Sequence, residues 1–569
     1  MVVDLLIKNI NVYNVYMKKF IKEDLTVLNE RFFYVGNFHK GILKPKKIID
    51  GNGKYLIPGL IDIHMHIESS MTTPFQFSQA VIPQGVTTIV ADPHEIANVF
   101  GIDGIKAFMD SDKEIGLDIF YGIPSSVPST SSKLETTGGI IRKEEATELL
   151  NYDKIQCLGE VMNFKDLIED ETSNINSIIE EIKVKRPYIP LEGHCPKIQG
   201  VDLAMYIYRG IHGDHTEQTK DSLKEKIKNG MFIEIQEKSL TQENIDFLME
   251  NNLYEHFCFV TDDVMADTLL NGHLNKLVKK AIKMGMKVEN AIYAATYTPA
   301  KQMGFKDRGA ISPGKIADFI ILSDLFDFKI EKVYKKGKVL YDGHISYKDK
   351  KESFPNNFYN SVKLDNLINE DFKILAPIRN GKVKCRVIQV KNKTTFTEEK
   401  EVLIEVNNGI LNWEKSSCCL IGVFERYGKN NGKAFGLVKG DIIKDGAIAT
   451  TWAHDHHNLM VMGRNVQDMV IAANNIIKNS GGYCAVKDNK VLASIKLPIA
   501  GIISEERIDV LSYKLKNLRN AIKKLGYNHK NEIMSFSTLS LPVSPSIKIT
   551  DKGLIRVKTQ EILSMFCEN

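Results

Sequence analysis

The chain has 569 residues, 43% of them hydrophobic and 26% charged, with a formal net charge of +4. That composition is ordinary for a globular protein, and so small a net charge gives no electrostatic case for nucleic-acid or membrane partners. No apolar run reaches membrane-spanning length, the first residues lack the pattern of a signal peptide, and eight cysteines in such a length do not suggest a disulfide framework; we read the compartment as cytosolic.

Residues 1–57 are rich in short β-like runs, such as Leu5–Tyr13, Phe32–Val35 and Ile48–Asp50, separated by turn residues such as Gly51-Asn-Gly53. They read as the N-terminal part of a small β domain.

From Leu56 the pattern changes to short apolar runs alternating with helical periods. The first run ends in His64-Met65-His66. Side chains alternate along a strand, so the two histidines face the same side, as two ligands of one divalent metal do. After a helix-like stretch, Pro74–Gln84, a second strand, Gly85–Ala91, ends in Asp92-Pro-His-Glu95. Leu117–Ile123 is a third. Ile155–Gly159 is a fourth and delivers Glu160. Tyr188–Leu191 is a fifth and delivers His194. A short sixth within Tyr208–Gly213 delivers Asp214-His215. Met231–Ile235 is a seventh, and His256–Val260 an eighth, followed by Thr261-Asp262-Asp263.

Eight βα units in roughly 250 residues is the count and length of a TIM barrel, where chemistry sits at the C-terminal strand ends. The expected fold is therefore α/β, with a (β/α)8 TIM-like barrel over residues 58–305. Five strands bring His64, His66, Glu160, His194, His215 and Asp262 to one rim. Six such groups suffice for two ions bridged by Glu160. Two metals about 3.5–4 Å apart hold a hydroxide between them at neutral pH. Imidazole with carboxylate suits zinc, iron or manganese, and ligand type alone does not choose.

Residues 306–345 return to β pattern and are expected to complete the small β domain, built from both flanks of the barrel. The polar stretch Ser346–Asn357 reads as a linker. Residues 360–569 form an additional C-terminal α+β domain, with β runs such as Lys384–Val390 and Val402–Val406 and helices such as Val466–Lys478 and Ile508–Leu525. It carries His454-Asp-His-His457, either an exposed turn or a loop reaching the mouth of this barrel or a neighbour's. His39, His344 and His529 read as surface histidines.

Several blocks carry a family resemblance. They are Pro58-Gly-Leu-Ile-Asp-Ile-His-Met-His-Ile-Glu-Ser-Ser-Met71, Val90-Ala-Asp-Pro-His-Glu-Ile-Ala-Asn98, Gly159-Glu-Val-Met-Asn-Phe164, Gly193-His-Cys-Pro196 and Thr261-Asp-Asp263. In the C-terminal part they are Ala453-His-Asp-His-His-Asn458 and Leu497-Pro-Ile-Ala-Gly501. Together they resemble the adenine deaminase family of the amidohydrolase superfamily over nearly the whole chain. Two departures touch only surroundings of the ligands: Glu192 stands where Asp is expected before Gly-His, and Thr216-Glu217 follow His215.

The resemblance implies hydrolysis of adenine to hypoxanthine and ammonia in purine salvage, by metal-bound hydroxide attacking C6. It implies two ions per chain, Mn2+ with Fe2+ or Zn2+ as the other candidates, and Asp262 as proton shuttle. Asp263 then bonds a purine ring nitrogen, Glu95 donates a proton to the ring, His94 orients substrate or hydroxide, and His456 and His457 contact the substrate. The purine base is the expected small-molecule partner, and a homo-oligomer, dimer or higher, is the default assembly. Two other readings stay open: another amidohydrolase reaction on a cyclic amide or N-acyl substrate, and a non-catalytic barrel scaffold. Glu160 counts against the cyclic-amide group, many of which carry a carboxylated lysine there.

Overall fold

The structure is a computed structural model and describes residues 1–38, 41–113, 115–350 and 354–567. His39 lies outside them. The two flanks of the barrel build one eight-stranded sheet. Its order runs Lys338–Tyr341, Lys329–Lys335, Phe319–Asp324, Tyr55–Pro58, Val2–Asn14, Lys19–Leu28, Arg31–Gly36, with Lys44–Asp50 paired in parallel to Val2–Asn14. Leu5, Ile7, Leu25, Phe32, Phe319 and Tyr334 form its core, and the rings of Phe319 and Tyr334 stack with centroids 4.3 Å apart. Tyr55–Pro58 pairs with Phe319–Asp324 and runs straight into the first barrel strand.

Eight parallel strands make the barrel: β1 (Leu60–Met65), β2 (Val86–Ala91), β3 (Asp118–Ile123), β4 (Ile155–Val161), β5 (Leu191–Gly193), β6 (Gly213–Asp214), β7 (Phe232–Ile235) and β8 (Phe257–Phe259). β1 to β5 are hydrogen-bonded in order, as are β6 to β8. Two seams join the arcs. The Asp262 N–H donates to the His64 carbonyl at 3.1 Å, and the His212 N–H to the Leu191 carbonyl at 3.2 Å. The strands are near-continuous apolar runs because a parallel sheet is covered on both faces.

Two strands lie later than the sequence suggests. Pro190 has no N–H to give a central strand, although its carbonyl still accepts from Leu158 N; β5 therefore starts at Leu191, and Tyr188 is 97% exposed. Tyr208 closes a helix, Gly200–Tyr208, so β6 shrinks to Gly213–Asp214.

The C-terminal part holds a nine-stranded sheet with Cys419–Phe424, Leu459–Gly463 and Ala447–Thr450 among its inner strands. Alternation divides its faces. Ala447 and Ala449 pack with Met469, Ala472 and Ile476 of the helix Val466–Lys478. Ile448, Met460 and Met462 join the large core that also contains the barrel residues and Leu511 and Leu515 of the helix Ile508–Lys524. The sheet is thereby welded to the barrel through one face. The stretch read as a linker is anchored too: Phe354 and Phe358 are buried, Phe358 stacks on Phe100 with centroids 4.0 Å apart, and its carbonyl accepts from Ala500 N. All eight cysteines are free thiols. Among the described residues no helix is long and apolar enough to cross a membrane.

Candidate active site

β1 carries His64 one residue before its end and leads into His66, β4 carries Glu160, and His194, His215 and Asp262 follow β5, β6 and β8. All six meet at one end of the barrel. Glu160 sits between two groups of histidines. Its Oε2 lies 2.6 Å from His194 Nδ1 and 3.3 Å from His215 Nε2. Its Oε1 lies 3.6 Å from His66 Nε2, which is also 3.6 Å from Asp262 Oδ1. The His64 and His215 rings are stacked, with centroids 3.7 Å apart.

The surroundings hold each group in place. His66 Nδ1 donates to the Asp92 carbonyl at 3.0 Å, which leaves Nε2 to face the carboxylates. The Asp92 carboxylate accepts from Glu160 N at 2.8 Å. That approach requires Gly159, where a Cβ would lie 2.2 Å from Asp92 Oδ2. Beside His215, Asp214 accepts from Lys226 Nζ at 2.7 Å and Cys195 N at 2.9 Å. Burial raises the Asp214 pKa, but Lys226 outweighs it and holds the carboxyl well below its usual range.

These residues fit a divalent-metal centre. His64 Nε2 and His215 Nδ1 are buried with no hydrogen-bond partner among the described residues. Three sets, His64–His66–Glu160, His64–His215–Asp262 and Glu160–His194–His215, each bring one ligand atom per residue to within 4.8 Å of the others. Imidazole and carboxylate are the donors such an ion takes. Glu160 belongs to two of the sets, as a bridge between two ions would.

The remaining expected residues lie around this centre. Asp263 is half-buried, and Ser69 Oγ donates to its Oδ1. His94 and Glu95 open the helix His94–Ser111. His94 Nδ1 lies 3.6 Å from Asp92 Oδ1 and 3.7 Å from Glu160 Oε1. Burial opposes its charge, but Asp92 and Glu95 outweigh it and raise the pKa to about 10. Glu95 is 1% exposed and holds one histidine on each oxygen: His454 Nδ1 on Oε1, His457 Nε2 on Oε2. The 454–457 loop is thus buried against this chain's own barrel, not an exposed turn. His456 turns away from it: its Nδ1 accepts from Asn458 N at 3.0 Å. The reversal comes at His457, whose φ of 50° is left-handed.

The sequence assigns no individual role to Asp92 or to His454, although both lie inside the blocks singled out above. His529 is a correction. It is 7% exposed, with ring nitrogens near the Asn531, Lys391 and Thr394 carbonyls, and is no surface histidine. His344 is exposed. The more open side of the site carries His194, with a third of its side chain accessible, and Lys238, 65% accessible and 4.0 Å from Asp262 Oδ2.

A (β/α)8 barrel with histidines and carboxylates gathered beyond its C-terminal strand ends defines a metal-dependent hydrolase of the amidohydrolase type. The amidohydrolase family model matches residues 55–340, and the adenine deaminase C-terminal domain model matches 394–561. The chain belongs to the adenine deaminase family of the amidohydrolase superfamily, hydrolases of C–N bonds other than peptide bonds. It is 61% identical to an adenine deaminase of Clostridium perfringens over 571 aligned positions, covering 100% of both chains. It is 50% identical to adenine deaminase 2 of Shouchella clausii, covering 99% of each. A solved β-aspartyl dipeptidase of Fervidobacterium islandicum AW-1 aligns with 61% of this chain and 98% of its own, at 20% identity and a TM-score of 0.48.

Proposed function

We propose that this protein hydrolyses adenine to hypoxanthine and ammonia, a step of purine salvage. The observation that carries the reading is the 61% identity to an adenine deaminase across the full length of both chains. The gathering of the six candidate ligands at one barrel end supports it.

His64, His66, Glu160, His194, His215 and Asp262 would hold two divalent ions; the family resemblance favours Mn2+, and the same donors suit Fe2+ or Zn2+. When bound, such ions lower the pKa of water so that a hydroxide is available at neutral pH. Asp262 accepts a proton from the attacking water and returns it to the departing amine, so that water and adenine leave as hypoxanthine and ammonia. Asp263, fixed by Ser69, accepts a hydrogen bond from a purine ring N–H. His94, between Asp92 and Glu160, orients the substrate. Glu95 has both oxygens engaged, so it orients His454 and His457 rather than giving a proton to the ring. His457 closes the site from the C-terminal side, and His456 supports that loop. The free thiols suit a reducing cytosol, and the working assembly is a homo-oligomer.

The test is ammonia and hypoxanthine release from adenine by the purified protein loaded with Mn2+. Release at a steady rate, abolished by chelation and restored by metal, is expected. No release from a fully loaded protein would overturn the reading.

A further inference from the structure

Asp62 lies two residues before His64, and none of the steps above involves it. It is fully buried, and its carboxylate touches both strand ends that meet at the seam between β1 and β8. Oδ1 accepts from His64 N at 3.3 Å and from Thr261 N at 3.4 Å, and Oδ2 accepts from Thr261 Oγ1 at 2.6 Å. One carboxylate therefore ties the backbone of a candidate ligand on one side of the seam to the residue before another on the other side.

His273 extends the group. Its Nε2 is 3.0 Å from Thr261 Oγ1 and 3.7 Å from Asp62 Oδ2. The Thr261 hydroxyl gives its single hydrogen to Asp62, so it accepts from His273, whose Nε2 carries the hydrogen. The His273 ring is buried and meets the Phe77 ring edge-on, with centroids 5.8 Å apart. Its backbone N–H donates to Asn275 Oδ1 at 2.9 Å, and Asn275 Nδ2 donates to Gln84 Oε1 at 2.8 Å. The start of the helix Leu274–Lys283 is thereby pinned to the segment before β2.

Next to Thr261 the chain takes an uncommon turn. Asp262 has a φ of 58°, in the left-handed region, which costs an L residue energy and persists where the surroundings hold it. Its N–H donates to the His64 carbonyl at 3.1 Å, and its Oδ1 lies 3.6 Å from His66 Nε2. The residue that precedes this turn is the one whose N–H and hydroxyl are both tied to Asp62.

We propose that Thr261 is a positioning residue of the metal centre: its hydroxyl, clamped between Asp62 and His273, holds Asp262 in the left-handed conformation that aims its carboxylate at His66 and the ligand set. Such supporting hydrogen bonds orient the groups that take a metal. The inference rests on the reading of Asp262 as a ligand.

The experiment measures metal affinity. The full-length protein is loaded with Mn2+ and equilibrated against graded concentrations of a chelator, and the ions retained per chain are read by elemental analysis. The parental protein is compared with Thr261→Val, Thr261→Ser, Asp262→Ala and the double variant of Thr261→Val with Asp262→Ala. Thr261→Val keeps the shape and removes the hydroxyl; it is expected to hold one of the two ions about tenfold or more weakly, as loss of a group supporting a ligand does. Thr261→Ser keeps the hydroxyl and should bind as the parental protein does. With Asp262 already replaced, Thr261→Val should cost nothing further, because the two act as one unit. Parental affinities in Thr261→Val, with only its thermal midpoint lowered, would show a purely structural role and overturn the proposal. So would equal losses in the Val and Ser variants, or losses that add in the double variant. Should Thr261→Val fail to fold, His273→Phe removes the donor one step further away and is judged by the same comparison. An Asp262→Ala variant that holds both ions as the parental protein does overturns the ligand reading and the proposal with it. A parental protein that binds two ions but releases no ammonia from adenine overturns the proposed reaction alone.

Discussion

Glu95 Oε2 accepts a hydrogen bond from His457 Nε2 across 362 residues of chain. The partner on the first side opens a barrel helix, and the partner on the second lies between two strands of the C-terminal sheet. His457 is held in its left-handed conformation by Arg426, whose Nε donates to the His457 carbonyl. Arg426 is fully buried, and its guanidinium also donates to Ser361 and to the Ala500 carbonyl. A buried cation is costly unless its hydrogen bonds are made, and here they fix the loop that faces Glu95.

His457→Ala should therefore lower turnover of adenine by tenfold or more, by the loss of a charge-assisted hydrogen bond on Glu95, and leave metal content intact. His456→Ala, which removes the acceptor of Asn458 N, should fall by less than about threefold on the same grounds of hydrogen-bond energetics. Kinetics with elemental analysis on both variants check this. Equal losses, or loss of metal, would refute the division of roles.

Glu160 touches both groups of histidines. Glu160→Ala should lose at least one of two ions, read by elemental analysis after gel filtration. Retention of both would sink its bridging role.

Asp262→Asn keeps the size and removes the proton acceptor. Turnover should drop by roughly 10²–10⁴-fold, the span of general acid–base catalysis. A variant near the parental rate with unchanged metal would remove Asp262 as the shuttle.

Lys548 is fully buried, and its Nζ donates to the Thr395 carbonyl at 2.8 Å. Burial lowers its pKa to about 7 from 10.5. Below about pH 7 the folded protein must bury a charged amine, so the cost is fully present there. From about pH 7 to 10.5 the unfolded chain holds a proton that the folded one has released, and this group's contribution to stability rises with pH. Lys548→Met should raise the free energy of unfolding at pH 6 more than at pH 9.5, by a difference on the order of a few kcal/mol. An equal change at both pH values would contradict the assignment.

The barrel and its six candidate ligands are legible in the sequence because their signals are local. Apolar runs of strand length recur with helical stretches between them, and a polar residue just past a run is delivered to the rim by the strand itself. His64 and His66 share a side through the two-residue period alone. Where that period is weak, the boundaries move. Tyr188–Leu191 reads as a strand until Pro190 is asked for an N–H, and the run at Tyr208 belongs to a helix end.

What only the tertiary structure decided depends on contacts between distant segments. His529 has no local mark of burial; the Lys391 and Thr394 carbonyls that surround it come from another strand's end. Within one run of four residues, His454 and His457 face Glu95 and His456 does not, because the chain reverses at His457 under the hold of Arg426. No spacing rule encodes that reversal. It follows from docking one face of the C-terminal sheet onto the barrel core, which buries apolar surface without regard to order along the chain and carries the histidines with it.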